Sequence, residues 1–270
     1  AEDGIRDRSP SRGLGDVYKR QHITHIQFHS YGGGEADENT FNSKVVPLAD
    51  YVNNHPNITV DVGQVLFGET TSMTGDGPLG YFLHKIYQGK WFSGDTEMES
   101  GCGITPIKYR NKSLVHALQW AIGLEWYLLV KDPWRVIMST DHPNGGSFLA
   151  YPEIIRLLMD RTYRQDMLKT CPEEVQNRST LMDLQREYTL GEIAIITRAG
   201  PARILGLVNK GHLGAGADAD ITIYTPHENK QIMFELPRIV IKAGTIMVEQ
   251  GEIRAAPQGK TLHVLSLIHI

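Results

Sequence analysis

Cysteine is scarce in this sequence of 270 residues, long apolar runs are missing, and basic charge is not in excess. Two cysteines, Cys102 and Cys171, are too few for a disulfide framework, so we expect a reducing compartment, the cytoplasm. No run of about 18 apolar residues occurs, which predicts that no helix spans a membrane. The net charge of −4, from 27 basic and 31 acidic residues, argues against a nucleic-acid-binding protein.

Several catalytic and cofactor signatures are also missing. No serine lies in a nucleophile elbow, which argues against a serine hydrolase of that type. Gly32–Gly34 lacks the spacing of a dinucleotide-binding fingerprint, and Gly214-Ala-Gly216 is only a lone GxG, so we interpret both as turns. Cys102 has no partner at zinc-finger spacing, and we predict that both cysteines are inert thiols.

The two ends of the sequence have no hydrophobic periodicity. Residues 1–21 and 265–270 resemble translated sequencing adapters, and we exclude both from the fold. We therefore expect that neither end is a natural terminus, that the gene is truncated, and that deleting both segments leaves thermal stability unchanged.

Between these ends, alternating strand-like and helix-like segments predict an α/β fold up to residue 205. Three β-rich runs predict buried strands: His22–Phe28, Ile58–Phe67 and Trp134–Thr140. Three apolar or amphipathic runs predict helices: Lys44–Asn54, Leu114–Val130 and Tyr151–Asp160. Thr189 and Glu192 form a capping box that opens a further helix. Gly68–Ser113 is predicted to be a long functional loop, and short strands beyond Gly211 predict a small β portion.

Two of the predicted strands carry candidate metal ligands. Side chains alternate along a strand, so Ile23, His25, Gln27 and His29 would share one face. His25 and His29 would then be too far apart to chelate one ion, which leaves His25 as either a single ligand or a structural histidine. Asp141 directly follows the third strand, where a carboxylate can bind a metal and accept a proton, or can simply cap a turn.

Several motifs in this order resemble the C-terminal part of the amidohydrolase superfamily. They are the THI around His25, the STDHP around Asp141, and the segment from Ala199 to Ile223. Within the superfamily, HITHIQFHSYGGG, VDVGQVLFGETTSMTGDGPLG, ESGCGI and MSTDHPNGGSF resemble the A subunits of formylmethanofuran dehydrogenase. The A subunit of the formyltransferase/hydrolase complex is a close relative of that family.

The resemblance implies the C-terminal part of a metal-dependent-hydrolase (β/α)8 barrel in residues 22–205, followed by part of a composite β-sandwich in residues 206–264. The family binds two zinc ions. By this resemblance His25 matches the ligand from the sixth strand, and Asp141 matches the aspartate from the eighth. The family's HxH pair, carboxylated lysine and fifth-strand histidine have no match here. We therefore expect no stable two-zinc centre in this chain alone.

The implied reaction interconverts N-formylmethanofuran and formate plus methanofuran. Asp141 would act as the catalytic base, and His29, His142 and Asn144 are candidate substrate contacts. The implied partners are the other subunits of a formylmethanofuran dehydrogenase or formyltransferase/hydrolase complex. Two alternatives remain. One is a dihydropyrimidinase-like cyclic amidohydrolase, against which Gly68–Ser113 and HIQFHSYGG argue, and the other is a metal-free assembly subunit.

Overall fold

The computed structural model describes residues 21–32, 40–74 and 103–262. The strands in these ranges are β1 Gln21–Ile23, β2 Tyr31–Gly32, β3 Asn42–Ser43, β4 Ile58–Asp61, β5 Gly68–Thr74, β6 Gly103–Tyr109, β7 Val136–Ile137, β8 Ile221–Ile223, β9 Ile239–Lys242, β10 Thr245–Glu249 and β11 Glu252–Ile253. The α-helices are α1 Val45–Asn54, α2 Leu114–Leu129, α3 Tyr151–Met159, α4 Arg161–Lys169, α5 Glu173–Arg178, α6 Leu190–Ala194, α7 Gly200–Ile204 and α8 Lys230–Glu235.

A few sequence predictions fall outside these ranges. Cys102, two of the three glycines at positions 32–34, and nearly all of the two adapter-like ends lie beyond the described residues. Gln21 is the exception, since it begins β1 and pairs with Ile58. The first strand therefore starts one residue inside the segment that the sequence pattern assigns to the N-terminal tail.

The three predicted buried strands form one parallel sheet in the order β1-β4-β7. Each strand is shorter than its predicted run, but backbone hydrogen bonds continue past the strand ends. Val62 donates to Ile137 O at 3.2 Å and Gln64 donates to Ser139 O at 2.8 Å. Because all three strands run in the same direction, the residues that follow them meet at one edge of the sheet.

The predicted strand His22–Phe28 is wrong beyond Ile23. His25 has a φ of 51°, in the left-handed region, which ends the extended chain. A single 3-10 turn follows over Ile26–His29, with Gln27 buried and His29 exposed. His25, Gln27 and His29 therefore do not share one strand face. Tertiary contacts decide this, because the Gln27 side chain donates to Gln119 O on α2.

Helix α2 is the centre of the core, as its nearly continuous apolar sequence predicts. Fourteen of its sixteen residues are buried, and Ser113 caps its N-terminus by accepting from the His116 N–H. Glu125 is buried within it and accepts hydrogen bonds from the Ser43 hydroxyl and the Thr180 hydroxyl. Burial raises the pKa of Glu125, although these hydrogen bonds oppose the rise.

The stretch Gly68–Ser113 is not a plain loop. Its two ends, β5 and β6, pair antiparallel over seven residues each. The sequence pattern indicates an irregular segment because the Gly, Ser and Thr content hides any alternation. Residues 75–102 lie outside the described ranges.

The C-terminal predictions are confirmed in their local features. Thr189 and Glu192 form the capping box of α6, and Pro201 lies in the first turn of α7. Gly206, with a φ of 71°, follows α7. The predicted hairpins form an antiparallel sheet in the order β11-β10-β9-β8. None of the helices in the described ranges has both the length and the apolar content that a membrane span requires.

Candidate active site

His25 and Asp141 meet at the edge of the parallel sheet. His25 lies two residues beyond β1, and Asp141 lies in the turn that follows β7. The His25 Nε2 atom is 2.9 Å from Asp141 Oδ1. The His25 side chain is 42% exposed and the Asp141 side chain is 17% exposed, so the pair lies at the surface with the carboxylate deeper. Both residues adopt left-handed backbone conformations, with φ values of 51° and 48°.

The Asp141 carboxylate is held by the turn that it opens. Asn144 donates its side-chain amide to Asp141 Oδ2 at 2.8 Å and its backbone N–H to Asp141 O at 2.6 Å. Burial raises the pKa of Asp141, while the Asn144 hydrogen bond and His25 oppose the rise and the Asp61 charge adds to it. Asp141 therefore keeps one oxygen occupied by the turn and presents the other to His25.

Asp61 is a site residue that the sequence analysis missed. It ends β4, between the two strands that carry His25 and Asp141, and accepts hydrogen bonds from the Ser139 hydroxyl and the His25 N–H. Burial opposes ionisation of Asp61, but the nearby His22 ring and the hydrogen bonds from Ser139 and the His25 N–H outweigh it, so its pKa lies below the usual range. Asp61 lies inside the predicted strand Ile58–Phe67, where no local pattern marks the end of β4, so the sequence does not single it out.

Gly63 follows the middle strand, β4, and lies between His25 and Asp141. Its φ is +69°, a conformation that glycine adopts without strain. A Cβ at this position would lie 3.3 Å from His25 Cα and 3.4 Å from Asp141 Cβ. A side chain at this position would therefore be tight against the His25 backbone and would require a small shift of its neighbours.

The candidate substrate contacts lie at different distances from the pair. Asn144 is in direct contact with Asp141. His142 is exposed beside Asp141, and its ring packs edge-on against Phe148 with ring centroids 4.8 Å apart. His29 is exposed at the last residue of the 3-10 turn, and it makes none of the hydrogen bonds of this site within the described residues.

Cys171 lies away from this site, at the end of α4. Its thiol is buried and contacts Met167 O on that helix. Burial raises its pKa, which keeps the sulfur in the unreactive thiol form. The inert-thiol prediction is therefore supported for Cys171.

The donor chemistry of His25 and Asp141 fits part of a zinc site. Imidazole nitrogen and carboxylate oxygen are both ordinary zinc ligands, and these two donor atoms are close enough to bind one ion. Catalytic zinc sites usually take about three protein ligands. Within the described ranges, no group of three or more His, Cys, Asp or Glu side chains is arranged to hold a metal. The pair can therefore supply part of a ligand set and needs further donors.

Comparison with protein-family models gives a match over residues 19–248 to the model described as "Amidohydrolase family". This range includes β1, β4 and β7, the candidate site, and most of the antiparallel sheet. The match agrees with the superfamily resemblance that the motifs around His25 and Asp141 indicate.

Individual relatives are also similar over most of the chain. "Protein FwdA" of Methanocaldococcus jannaschii is 45% identical over 259 residues, covering 93% of this chain and 45% of the relative. The A subunit of the formyltransferase/hydrolase complex Fhc of Methylorubrum extorquens is 43% identical over 249 residues, covering 90% of this chain and 45% of that relative. The chain thus spans less than half the length of these curated relatives.

A solved structure matches at the same level. It is the crystal structure of the formyltransferase/hydrolase complex FhcABCD from Methylorubrum extorquens in complex with methylofuran. The TM-score is 0.79 at 43% sequence identity, covering 87% of this chain and 43% of the matched chain. At this identity the shared fold and the shared ancestry are both supported.

Proposed function

Since the chain belongs to the amidohydrolase family, we propose that it carries part of the hydrolytic site of a formylmethanofuran dehydrogenase A subunit. The reaction is the interconversion of N-formylmethanofuran with formate plus methanofuran. The observation that carries the proposal is the 2.9 Å approach of His25 Nε2 to Asp141 Oδ1 at the ends of two parallel strands. Its family context comes from the similarity to FwdA and to the A subunit of Fhc.

His25 and Asp141 are the residues of this chain that would hold zinc, with two ions in the complete site. Zinc would supply Lewis acidity, which lowers the pKa of water and polarises a carbonyl oxygen. The remaining ligands would come from residues beyond those described. In the proposed architecture, residues 22–205 form the C-terminal part of a (β/α)8 barrel and residues 206–264 form part of a β-sandwich.

Asp141 would move the proton during amide hydrolysis. Its carboxylate takes a proton from water as the water oxygen attacks the formyl carbon, and the same proton passes to the amine nitrogen as the C–N bond breaks. Asn144 keeps the carboxylate oriented throughout by donating to Oδ2. The exposed rings of His29 and His142 are proposed contacts for the substrate.

The proposed partners are the other subunits of a formylmethanofuran dehydrogenase or formyltransferase/hydrolase complex, with a methanofuran-type substrate. The solved complex that matches this chain contains several subunits together with methylofuran. We propose that this chain works in a comparable assembly in the cytoplasm.

The test uses the protein from its complete reading frame, assembled with its partner subunits. Asp141→Asn should lower formate release from an N-formyl substrate by about 10²–10⁴-fold, because asparagine cannot accept the proton. His25→Ala should also lose activity, through zinc occupancy, and excess zinc should partly restore it. Asp50→Asn, at an exposed position on α1, is the matched control and should retain parent activity.

Near-parent turnover of Asp141→Asn would reduce Asp141 to a turn-capping residue and end the proposal. The same preparations separate the two alternatives. Zinc analysis of the assembled complex tests the metal-free assembly role, which predicts no bound zinc. Hydrolysis of a cyclic ureide in place of the formyl amide would indicate the dihydropyrimidinase-like enzyme.

A further inference from the structure

The carboxylate of Asp61 contacts the His25 peptide, and it has no part in the proposed chemistry. Its Oδ1 atom accepts the Ser139 hydroxyl at 2.6 Å and the His25 N–H at 3.2 Å. Its Oδ2 atom lies 3.9 Å from His22 Nε2. The side chain is only 16% exposed. One carboxylate on the middle strand therefore contacts both neighbouring strand ends.

The His25 peptide has an unfavourable backbone conformation that the hydrogen bond to Asp61 can stabilise. A residue with a Cβ atom is disfavoured in the left-handed region, and His25 has a φ of 51° there. This conformation turns the chain out of β1 and directs the imidazole to Asp141. The amide that must stay in place for this turn is the one that donates to Asp61.

Ser139, which follows β7, links the end of that strand to the Asp61 carboxylate. Its hydroxyl donates to Asp61 and accepts the Gly63 N–H at 2.9 Å. Gly63 lies close to both members of the pair, since a Cβ there would be 3.3 Å from His25 Cα and 3.4 Å from Asp141 Cβ. Hydrogen bonds thus link the His25 peptide through Asp61 and Ser139 to the Gly63 peptide, next to the His25–Asp141 pair.

We propose that Asp61 is a positioning residue, whose carboxylate holds the His25 peptide in its left-handed conformation and thereby fixes the imidazole beside Asp141. Asp61 acts through His25 and not on the substrate. The backbone part of this inference is independent of metal binding. Its consequence for zinc rests on the proposed function.

The experiment uses the protein from its complete reading frame in its assembled complex, with Asp61→Ala and Asp61→Asn as variants. Glu69→Gln is the control, because Glu69 is an exposed carboxylate on β5 that pairs with Lys108. Hydrogen–deuterium exchange of the metal-free protein follows the peptide around His25. Titration with Co²⁺ gives the affinity and the visible absorption spectrum of the site.

Asp61→Ala should speed exchange at the His25 amide about tenfold or more while exchange in α2 stays at the parent rate. It should also weaken Co²⁺ binding by about 10–100-fold, the usual effect of removing a residue that orients a ligand, and shift the absorption bands. Asp61→Asn should stay near the parent in both measurements, because its amide oxygen still accepts the His25 N–H. Glu69→Gln should match the parent throughout.

Unchanged exchange at His25 in Asp61→Ala would overturn the proposal, and so would an asparagine variant as impaired as the alanine variant. If the parent binds no Co²⁺ but exchange at His25 still depends on Asp61, the positioning role stands and the proposed metal site fails. If the parent binds Co²⁺ and Asp61→Ala leaves exchange, affinity and spectrum unchanged, the positioning role fails and the metal site stands.

Discussion

The parallel and antiparallel sheets of this protein are stabilised in different ways. The parallel sheet lies in the core portion, residues 21–205 as far as they are described, which contains every residue that the described chain buries. In the C-terminal portion, residues 206–262, no residue is buried by the described part of the chain. Apolar side chains remain open there, including Ile253 at 79% and Leu213 at 80% exposure.

Apart from Phe234 of α8, which packs partly buried against the core, the C-terminal portion is defined mainly by local polar contacts. The Asp220 carboxylate accepts from Lys210 Nζ at 2.7 Å, from Lys242 Nζ at 2.5 Å and from the Ala243 N–H at 2.8 Å. These contacts tie β8 to the turn between β9 and β10. Partly exposed ion pairs contribute little free energy because water screens them. The core portion thus carries both the stability and the candidate site, while the C-terminal portion has well-defined local geometry with little burial.

A matched pair of leucine truncations gives the most severe test of this contrast in burial. Leu124 in α2 is fully buried, so Leu124→Ala should lower the free energy of unfolding by about 2–5 kcal/mol. Leu213→Ala removes the same atoms from an exposed position and should cost less than about 0.5 kcal/mol. Urea unfolding followed by circular dichroism measures both. Equal losses would show that the C-terminal portion is as tightly packed as the core.

A matched pair of glycine substitutions tests the same contrast at the site. Gly63→Ala should cost about 1–2 kcal/mol for the left-handed backbone alone, and its Cβ should also push His25 away from Asp141. In the assembled complex, Gly63→Ala should therefore lower both the zinc content and the rate of formate release. Gly244→Ala, in the C-terminal portion, is the control, since Gly244 has a φ of +80° and a Cβ there meets nothing within 4 Å. Full zinc content in Gly63→Ala would contradict the close approach.

Helix caps should have similar effects in both portions, because a cap acts within one turn. Thr189 caps α6 in the core portion, and Asn229 caps α8 in the C-terminal portion. Thr189→Ala and Asn229→Ala should each cost about 1 kcal/mol in thermal or urea unfolding. Thr189→Ser, which keeps the hydroxyl, should retain most of the parent stability. A much smaller loss for Asn229→Ala would mean that α8 is frayed.

The smallest expected effect is the acid sensitivity of the Asp220 cluster. Hydrogen bonds from Lys210 and then Lys242 hold the pKa of Asp220 well below its usual range. Its contribution to stability is therefore present above the unfolded-state pKa of about 3.9, and is lost as the pH falls toward the lower folded-state pKa. Asp220→Asn should cost at most about 1 kcal/mol at pH 7. The difference from the parent should shrink in unfolding experiments below about pH 4.

The residues of the candidate site are not equally predictable. His25 and Asp141 are identified in the sequence by their resemblance to a known ligand pattern, and the structure brings them together. The left-handed conformation of His25 escapes prediction, because His22–Phe28 alternates like an ordinary strand. Asp61 escapes it as well, because its role depends on a hydroxyl from the neighbouring strand end, 78 positions away along the chain.

Features that depend on neighbours within one turn are encoded locally in the sequence. The capping box at Thr189, the end of α1 before Pro56, and the buried character of α2 follow from local hydrogen bonding and hydrophobic pattern. The site arises only when the chain folds. Three strand ends must lie side by side before Asp61 can reach the His25 peptide and Gly63 can fit between His25 and Asp141. Because these contacts join residues far apart in the chain, no local pattern encodes them.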